Sequence, residues 1–256
     1  MKLATWNVNG IRAREADVLA FVQAERPDVL CLQELKATSE QIPAALSELS
    51  ELCDYWCYWH GMKGYSGVSL LVRRDFTPDR PRFLHPEFDH ENRIAIAELG
   101  DVSVASIYVP NGGKNFEAKM GFLQAMVEHA AAARRLGRAI ILCGDMNVTR
   151  TELDVHPRER NPRLVGQRPE ERALFDRILT EGDLRDVGRE LDPNNEELFT
   201  WWAPWRQMRE RNIGWRLDYL LASSGLAARA VSCVSRRDVG TSDHGPVVAV
   251  FAPPAT

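Results

Sequence analysis

Short apolar runs of strand length recur along the chain, separated by stretches whose apolar residues fall at helical spacing. "KLATWNVN" (2–9), "DVLCLQE" (28–34) and the run at 139–146 read as strands, the last two as buried ones. "YWCYWHG" (55–61), "GVSLLVRRD" (67–75), "RIAIAELG" (93–100) and "VSVASIYVP" (102–110) read as consecutive antiparallel strands, with "LGDVS" a hairpin turn. "LFTWW" (198–202), "WRLDYLLAS" (215–223), "AVSCVSRR" (230–237) and "PVVAVFA" (246–252) read as the closing strands. Helical spacing marks 15–27, stopped by Pro27, and 39–52, with Ser39 as cap and Pro43 delaying the start. It also marks 116–137, stopped by Gly137 after Arg134 and Arg135, and 169–182; residues 149–170 read as a long loop. No linker, repeat period or composition shift divides the chain, so a single domain over 1–256 is expected. Antiparallel runs with interspersed helices predict two sheets packed face to face with helices outside.

Composition adds exclusions. The chain is 45% hydrophobic and 27% charged, ordinary for a globular protein, and can bury a core without staples. Five cysteines, an odd number, include Cys31 and Cys143 inside apolar runs; the Cys53/Cys57 spacing lacks a partner pair for zinc. Free buried thiols in a reducing cytosol are expected. The opening "MKLATWNVNG" is too short and polar for a secretory h-region, and no run is long enough to span a bilayer. The expected location is the cytoplasm, and no membrane partner is expected. A net charge of −4 argues against an unselective polyanion binder but leaves room for acidic metal ligands beside a basic rim.

Polar groups close or interrupt the apolar runs: Asn7, Glu34, Asp145, Asn147, Asp218, Asp243 and His244. Any one of them alone is more often a turn former or cap. Together, at one rim, they would crowd carboxylates that need a cation. The set is rich in oxygen and has no Cys, which suits Mg²⁺ or Mn²⁺ rather than zinc. Asp145 and Asn147, two apart, should share one strand face; the carboxylate can take a proton from water and the carboxamide can orient it. Asp243 and His244 should face opposite ways, leaving Asp218 to hold His244 charged. His60, His85, His90, His129 and His156 read as surface or structural.

Seven stretches carry a resemblance: "WNVNGIRA" (6–13), "LQELK" (32–36), "GYSGV" (64–68), "YVPNGG" (108–113), "GDMNV" (144–148), "GWRLDYLLAS" (214–223) and "SDHGPV" (242–247). In this order the chain resembles the exonuclease III type of abasic-site endonucleases, within the endonuclease/exonuclease/phosphatase superfamily. The resemblance implies an α/β fold, a four-layer α/β/β/α sandwich of two mixed β-sheets like that of deoxyribonuclease I. It implies metal-dependent hydrolysis of the DNA phosphodiester 5′ to abasic sites, with 3′-5′ exonuclease and 3′-end trimming, on double-stranded DNA with abasic sites or blocked 3′ ends. It implies Mg²⁺, with Mn²⁺ as substitute, and a monomer. Glu34 matches the principal metal ligand, with Asn7 and Asp243 in the metal-site network. Asp145 matches the residue that activates water, Asn147 the one orienting water or phosphate, Tyr108 a phosphate contact, and His244 with Asp218 a dyad facing a phosphate oxygen.

Trp201, Trp215 and Leu217 match a pocket for a flipped-out abasic sugar, which has no base to unstack. Trp205 and Arg206 match a loop that wedges into the duplex. Arg12, Lys36, Tyr65, Asn111 and Lys114 match positions that contact DNA, chiefly phosphates. Trp202, by composition, is as readily core as DNA-facing. Animal-type members carry Phe at Trp201 and Asp at Asn9, which leaves pocket size and the balance of endonuclease, exonuclease and phosphatase activity open. Two other readings compete: another phosphodiesterase of the superfamily, acting on DNA without preference or on lipid or inositol phosphates, and a non-catalytic DNA binder.

Overall fold

The computed structural model describes residues 1–48 and 55–253. Its apolar strands are continuous rather than alternating because both faces of each sheet are covered. In β2 (Val29–Gln33), Val29 and Cys31 point to the core between the sheets, while Leu30 and Leu32 point to the layer under α1 (Glu15–Glu25). In β8 (Ala139–Asp145), Ile141 and Cys143 face the other sheet, and Ile140 and Leu142 face the helices α3 (Phe116–Arg135) and α4 (Pro169–Gly182). Four layers follow.

The first sheet runs in the order β11-β12-β1-β2-β4-β3 and the second β5-β6-β7-β8-β10-β9. Here β1 is Lys2–Asn7, β3 Tyr55–Met62, β4 Tyr65–Arg73, β5 Arg82–Leu84, β6 Ile94–Leu99 and β7 Val102–Tyr108. The rest are β9 Leu184–Asp186, β10 Asp218–Ser223, β11 Ala230–Ser235 and β12 Val247–Phe251. Each sheet has one parallel pair, β1 with β2 and β7 with β8. The helices α1 and α3 lie in the crossovers of these pairs, as a parallel connection demands. The long helix α3 starts where the Asn115 side chain accepts from Ala118 N at 2.9 Å. The turn at 99–103 is a two-residue hairpin with Gly100 at φ 61°.

Four expectations are corrected. "LFTWW" is not a strand: Trp201 makes single bridges to Trp215 and His244, while Phe199 and Trp202 bury in a satellite cluster with Met208 and Ile213. The strands from 55 to 110 do not form one series, since β3 and β4 lie in the first sheet and β5, β6 and β7 in the second. The 149–170 loop contains two short 3-10 turns, Glu152–Asp154 and Pro157–Glu159. The helix expected at 39–52 is a 3-10 turn, Ser39–Gln41, then α2 (Ala44–Ser47) beyond Pro43; residues 49–54, Cys53 among them, lie outside the described residues. Among the described residues no helix is long and apolar enough to cross a membrane.

Candidate active site

The C-terminal ends of β1, β2, β7 and β8 point to one rim, and the entries to β10 and β12 meet them there. The backbone turns sharply at this rim. Glu34 sits at φ 59° and Lys36 at φ 53°, left-handed values that a non-glycine residue holds only when its surroundings enforce them. The enforcement is a ladder: Gly10 N donates to Glu34 O at 2.8 Å, Leu35 N to Gly67 O at 3.1 Å and Lys36 N to Ser66 O at 2.8 Å. Glycine is required at Gly144, whose φ is 138° and where a Cβ would lie 2.0 Å from the Ile107 carbonyl oxygen.

Asn7 lies at the centre. Its Nδ2 donates to Glu34 Oε2 at 3.0 Å and to Asp145 Oδ2 at 2.9 Å, and its Oδ1 accepts from Asn9 N at 3.0 Å. Asn9 Nδ2 donates to Asp243 Oδ1 at 2.9 Å, and Trp201 Nε1 donates to Asp243 Oδ2 at 3.0 Å. Lys36 Nζ reaches Asn9 Oδ1 at 2.6 Å and Glu34 Oε1 at 2.9 Å. Among the expected metal residues, Glu34 offers a carboxylate whose two oxygens each have one partner, Asn7 and Lys36, while Asn7 Oδ1 and both Asp243 oxygens are taken up by Asn9 and Trp201. One carboxylate with open lone pairs, an acidic surround and room for water fit a hard cation of the Mg²⁺ type.

Asp145 and Asn147 do meet, but not by strand alternation. The strand stops at Asp145, and Asn147 turns back at φ 50°, so its own N donates to Asp145 Oδ1 at 2.8 Å. Its Nδ2 donates to Val109 O at 2.8 Å and to Asp145 Oδ2 at 3.3 Å, which leaves Oδ1 to accept from Asn111 Nδ2 at 3.3 Å. Beneath this turn Lys119 Nζ donates to Asn147 O at 2.7 Å and Asn111 O at 3.1 Å, and pairs with Glu171 at 2.5 Å with both side chains fully buried.

Asp243 and His244 diverge. His244 Nδ1 lies 2.8 Å from Asp218 Oδ2, and its Nε2 lies 3.8 Å from Asp145 Oδ2. Burial works against the imidazolium, but the Asp218 carboxylate outweighs it and holds His244 up to about 10. Burial pushes Asp145 up to about 7; the His244 charge opposes this and Asp218 adds to it. For Asp243, burial opposes ionisation, but His244 and the bonds from Asn9 and Trp201 hold it below the usual carboxylate range. Burial, with Glu34 and Asp145 nearby, pushes the Tyr108 phenol well up, so it stays a donor. A charged imidazolium, a carboxylate able to take a proton and a neutral phenol face one cavity of about 410 Å³.

Trp201, Trp215 and Leu217 line that cavity with Asn111 and Val165. The two indoles pack edge to face, centroids 5.5 Å apart. Thr200 fixes the wall, its Oγ1 accepting from Leu217 N at 2.9 Å and Asp218 N at 3.0 Å. Trp205 is exposed beside Arg206, and Arg12, Lys114 and Tyr65 are exposed as well. Trp202 is core, its Nε1 donating to Asn212 Oδ1 at 3.1 Å. Arg209 and Arg216 are structural: the first ties the carbonyls of Arg237, Ser242 and Val239, and the second is buried on Asp186 and Asp154. Arg93 was missed. It is buried, bonds Tyr65 Oη at 2.6 Å, and lies over the rings of Tyr65 and Tyr108 at 5.1 and 4.9 Å. A lone Arg before a strand gave no signal of this.

With this geometry in place, the sequence profile of the endonuclease/exonuclease/phosphatase family matches residues 4–244, and the chain belongs to that family. Nucleases of the family are metal-dependent. The chain is 33% identical over 253 residues to an exodeoxyribonuclease of Bacillus subtilis, covering 96% of this chain and 98% of that one. It is 33% identical over 257 residues to the DNA repair nuclease APEX1 of Danio rerio, covering 98% and 82%. Its fold superposes on an AP endonuclease structure from Archaeoglobus fulgidus with a TM-score of 0.87 at 29% identity, covering 99% of this chain and all of the other. The sandwich is thus the fold of the exonuclease III and AP endonuclease group.

Proposed function

We propose that the chain is a metal-dependent DNA repair nuclease that hydrolyses the phosphodiester 5′ to an abasic site and trims 3′ ends, acting as a monomer and a single domain. The observation that carries this reading is one cavity that holds both a hydrolytic set and an apolar wall. Asp145, Asn147, Tyr108 and His244, the last held by Asp218 behind it, line it beside Glu34, and Trp201, Trp215 and Leu217 close the other side. The Bacillus and Danio relatives, named for their action on DNA, support the substrate class.

Hydrolysis needs an aligned water, charge relief at phosphorus and help for the leaving oxygen. Asp145 takes the proton of the attacking water, and Asn147 orients it. His244, charged through Asp218, and the Tyr108 hydroxyl donate to the non-bridging oxygens. Water forms the new bond to phosphorus as the bond to the 3′ oxygen breaks, leaving a 3′ hydroxyl and a 5′ phosphate. Glu34 would hold the cation, Mg²⁺ with Mn²⁺ as substitute, through the network of Asn7 and Asp243. When bound, the ion supplies charge relief on the phosphate and the leaving group. An abasic sugar enters the indole-lined wall cheaply because no base is unstacked. Arg12, Lys36, Tyr65, Asn111 and Lys114 hold the strand by its phosphates, and Trp205 with Arg206 enters the groove.

The test is a cleavage panel: duplex with one tetrahydrofuran site, intact duplex and a soluble phosphodiester, each with Mg²⁺, Mn²⁺ or chelator. Internal cleavage at the tetrahydrofuran site only, with no more than trimming from the 3′ ends of the intact duplex, and loss of both in chelator, is expected. Equal turnover of intact duplex, or preference for the soluble ester, would move the chain to the other phosphodiesterases; tight binding without cleavage would make it a binder.

A further inference from the structure

At one edge of the sandwich lies a second cluster that the proposed hydrolysis does not use, two strands across from the Glu34 corner, with His60 opposite Val68 and Val68 opposite Gln33. His60 comes from β3 in the first sheet, and His85 and Asp89 from the segment between β5 and β6 in the second. One ligand atom from each lies within 4.8 Å of the other two. His60 Nε2 is 2.6 Å from Asp89 Oδ2, and His85 Nδ1 is 4.0 Å from the same oxygen. The imidazoles stack with centroids 4.5 Å apart. The geometry points to a transition-metal site of the zinc class, built from His60, His85 and Asp89, that staples the two sheets together.

Three features support a built site over a chance meeting. First, the donor set is two imidazoles and one carboxylate, which suits Zn²⁺, Co²⁺ or Ni²⁺ and does not suit Mg²⁺. Second, the carboxylate is anchored: the Asp89 side chain is fully buried, and its Oδ1 accepts from Arg93 N at 2.7 Å. Third, the other face of His60 has an orienting partner, Asn92, whose Nδ2 lies 3.2 Å from His60 Nδ1. Ligating histidines typically carry such a partner on the second ring nitrogen. The His85 side chain is 49% exposed, which gives an entry path and leaves a fourth position open to solvent.

Ligation asks for a small rearrangement of these three side chains. Tetrahedral bonds of about 2.0–2.1 Å place ligand atoms roughly 3.3 Å apart. His60 and Asp89 must therefore part slightly, and the exposed His85 ring must tilt out of its stack and close in. A metal on His60 Nε2 requires the neutral ring to carry its single proton on Nδ1. Asn92 must then present its oxygen, a half-turn of its amide. Binding would fix the segment 85–93 against β3. That segment ends in Arg93, which packs over Tyr65 and Tyr108, and Ser66 Oγ lies 3.5 Å from Asn92 O beside it.

The test is calorimetric titration with ZnCl₂ under excess Mg²⁺, repeated with CoCl₂ and followed by visible absorption. It uses the wild type, Glu34→Gln, His85→Ala and Asn92→Gly, the last keeping the φ of 55° accessible. One equivalent is expected in the wild type and in Glu34→Gln, none in His85→Ala, and about 10- to 100-fold weaker binding in Asn92→Gly. Bound Zn²⁺ should raise the thermal midpoint of wild type and not of His85→Ala, with Mg²⁺-dependent cleavage equal in the two metal-free proteins. Absence of binding, its survival in His85→Ala, its loss in Glu34→Gln, or a thiolate charge-transfer band in the cobalt spectrum would each overturn the proposal.

Discussion

The two sheets share one plan and divide the chemistry unequally. Across each sheet lie a hairpin, a parallel pair around a helix, a returning strand and an edge strand, although in the first sheet the hairpin comes last in the chain. Register makes the correspondence residue by residue. Asn7 stands beside Gln33 in the first sheet as Tyr108 stands beside Asp145 in the second. Gln33 in turn faces Val68, as Asp145 faces Asp218. At the equivalent place, then, one sheet has a buried amide and an apolar neighbour, and the other has two carboxylates. Gln33 serves the frame: its Nε2 donates to Thr5 Oγ1 at 2.9 Å and to Ser106 Oγ at 3.0 Å across the sheets. Asp145 faces the cavity. One backbone plan supplies two rigid corners, and at the equivalent register position one side chain ties the sheets together while the other borders the cavity.

The sharpest way to break this comparison is to alter both members of the pair. Asp145→Asn keeps the shape but removes the proton acceptor, and its single carboxamide oxygen can accept from Asn147 N or from Asn7 Nδ2 but not from both. It should cost about 10²- to 10⁴-fold in single-turnover cleavage while affinity for abasic duplex, read by anisotropy, stays near wild type. Substantial residual turnover would remove Asp145 from the role of base. Gln33→Leu should do the converse. It strips Thr5 and Ser106 of a buried partner at a cost of about 1–3 kcal/mol in denaturant unfolding and leaves the turnover of the folded enzyme intact.

The corners are also braced differently. The Glu34 corner is held by backbone bonds to residues 10 and 66–67, whereas the Asn147 corner rests on the buried Lys119–Glu171 pair. Burial opposes the Lys119 charge and Glu171 supports it. Lys119→Met would leave Glu171 charged and unpaired and free the Asn147 and Asn111 carbonyls. A loss of about 3–5 kcal/mol is expected, with a fall in turnover beyond what the unfolded fraction explains. A stability loss with full turnover in the folded fraction would show that Asn147 does not depend on its brace.

Most of the frame was legible in the sequence because strands buried on both faces leave continuous apolar runs, and because α1 and α3 end two residues before Pro27 and Gly137. What escaped had a physical cause. The strands β5 and β9 are three residues long, too short for any period. "LFTWW" looked like a strand because its aromatics are buried, but they pack in a satellite cluster and tie Trp215 to His244 by single bridges. The residue list of the site came from strand ends and from the family resemblance. Its geometry did not, since left-handed Glu34 and Asn147 are not glycines and nothing local announces the turn. The divergence of Asp243 and His244 follows from the same irregular entry to β12 that brings Asp218 within reach.

The dyad between the sheets makes stability depend on pH. His244 is held up to about 10 in the folded protein, above its ordinary value of about 6.5. The folded state therefore binds this proton more tightly, and the stability it contributes is full below about 6.5 and lost as pH rises through about 10. Asp145, raised to about 7, acts with the same sign in a lower window, from about 3.9 upward. In chelator, wild-type unfolding free energy should fall by a few kcal/mol between about pH 6.5 and 10, and His244→Gln should flatten that slope. Equal slopes would mean that His244 is neutral in the folded protein.

The smallest effect belongs outside both corners. Arg12 is exposed on the 3-10 turn Ile11–Ala13 that follows β1, clear of the hydrolytic set. If it meets a phosphate, Arg12→Ala removes one counterion-releasing contact. Binding should then weaken about equally for abasic and intact duplex, and the slope of log affinity against log salt should fall by about one. A change confined to the abasic duplex would place Arg12 in damage recognition, and an unchanged salt slope would remove it from the DNA surface, so the two sheets' shared rim would end before this turn.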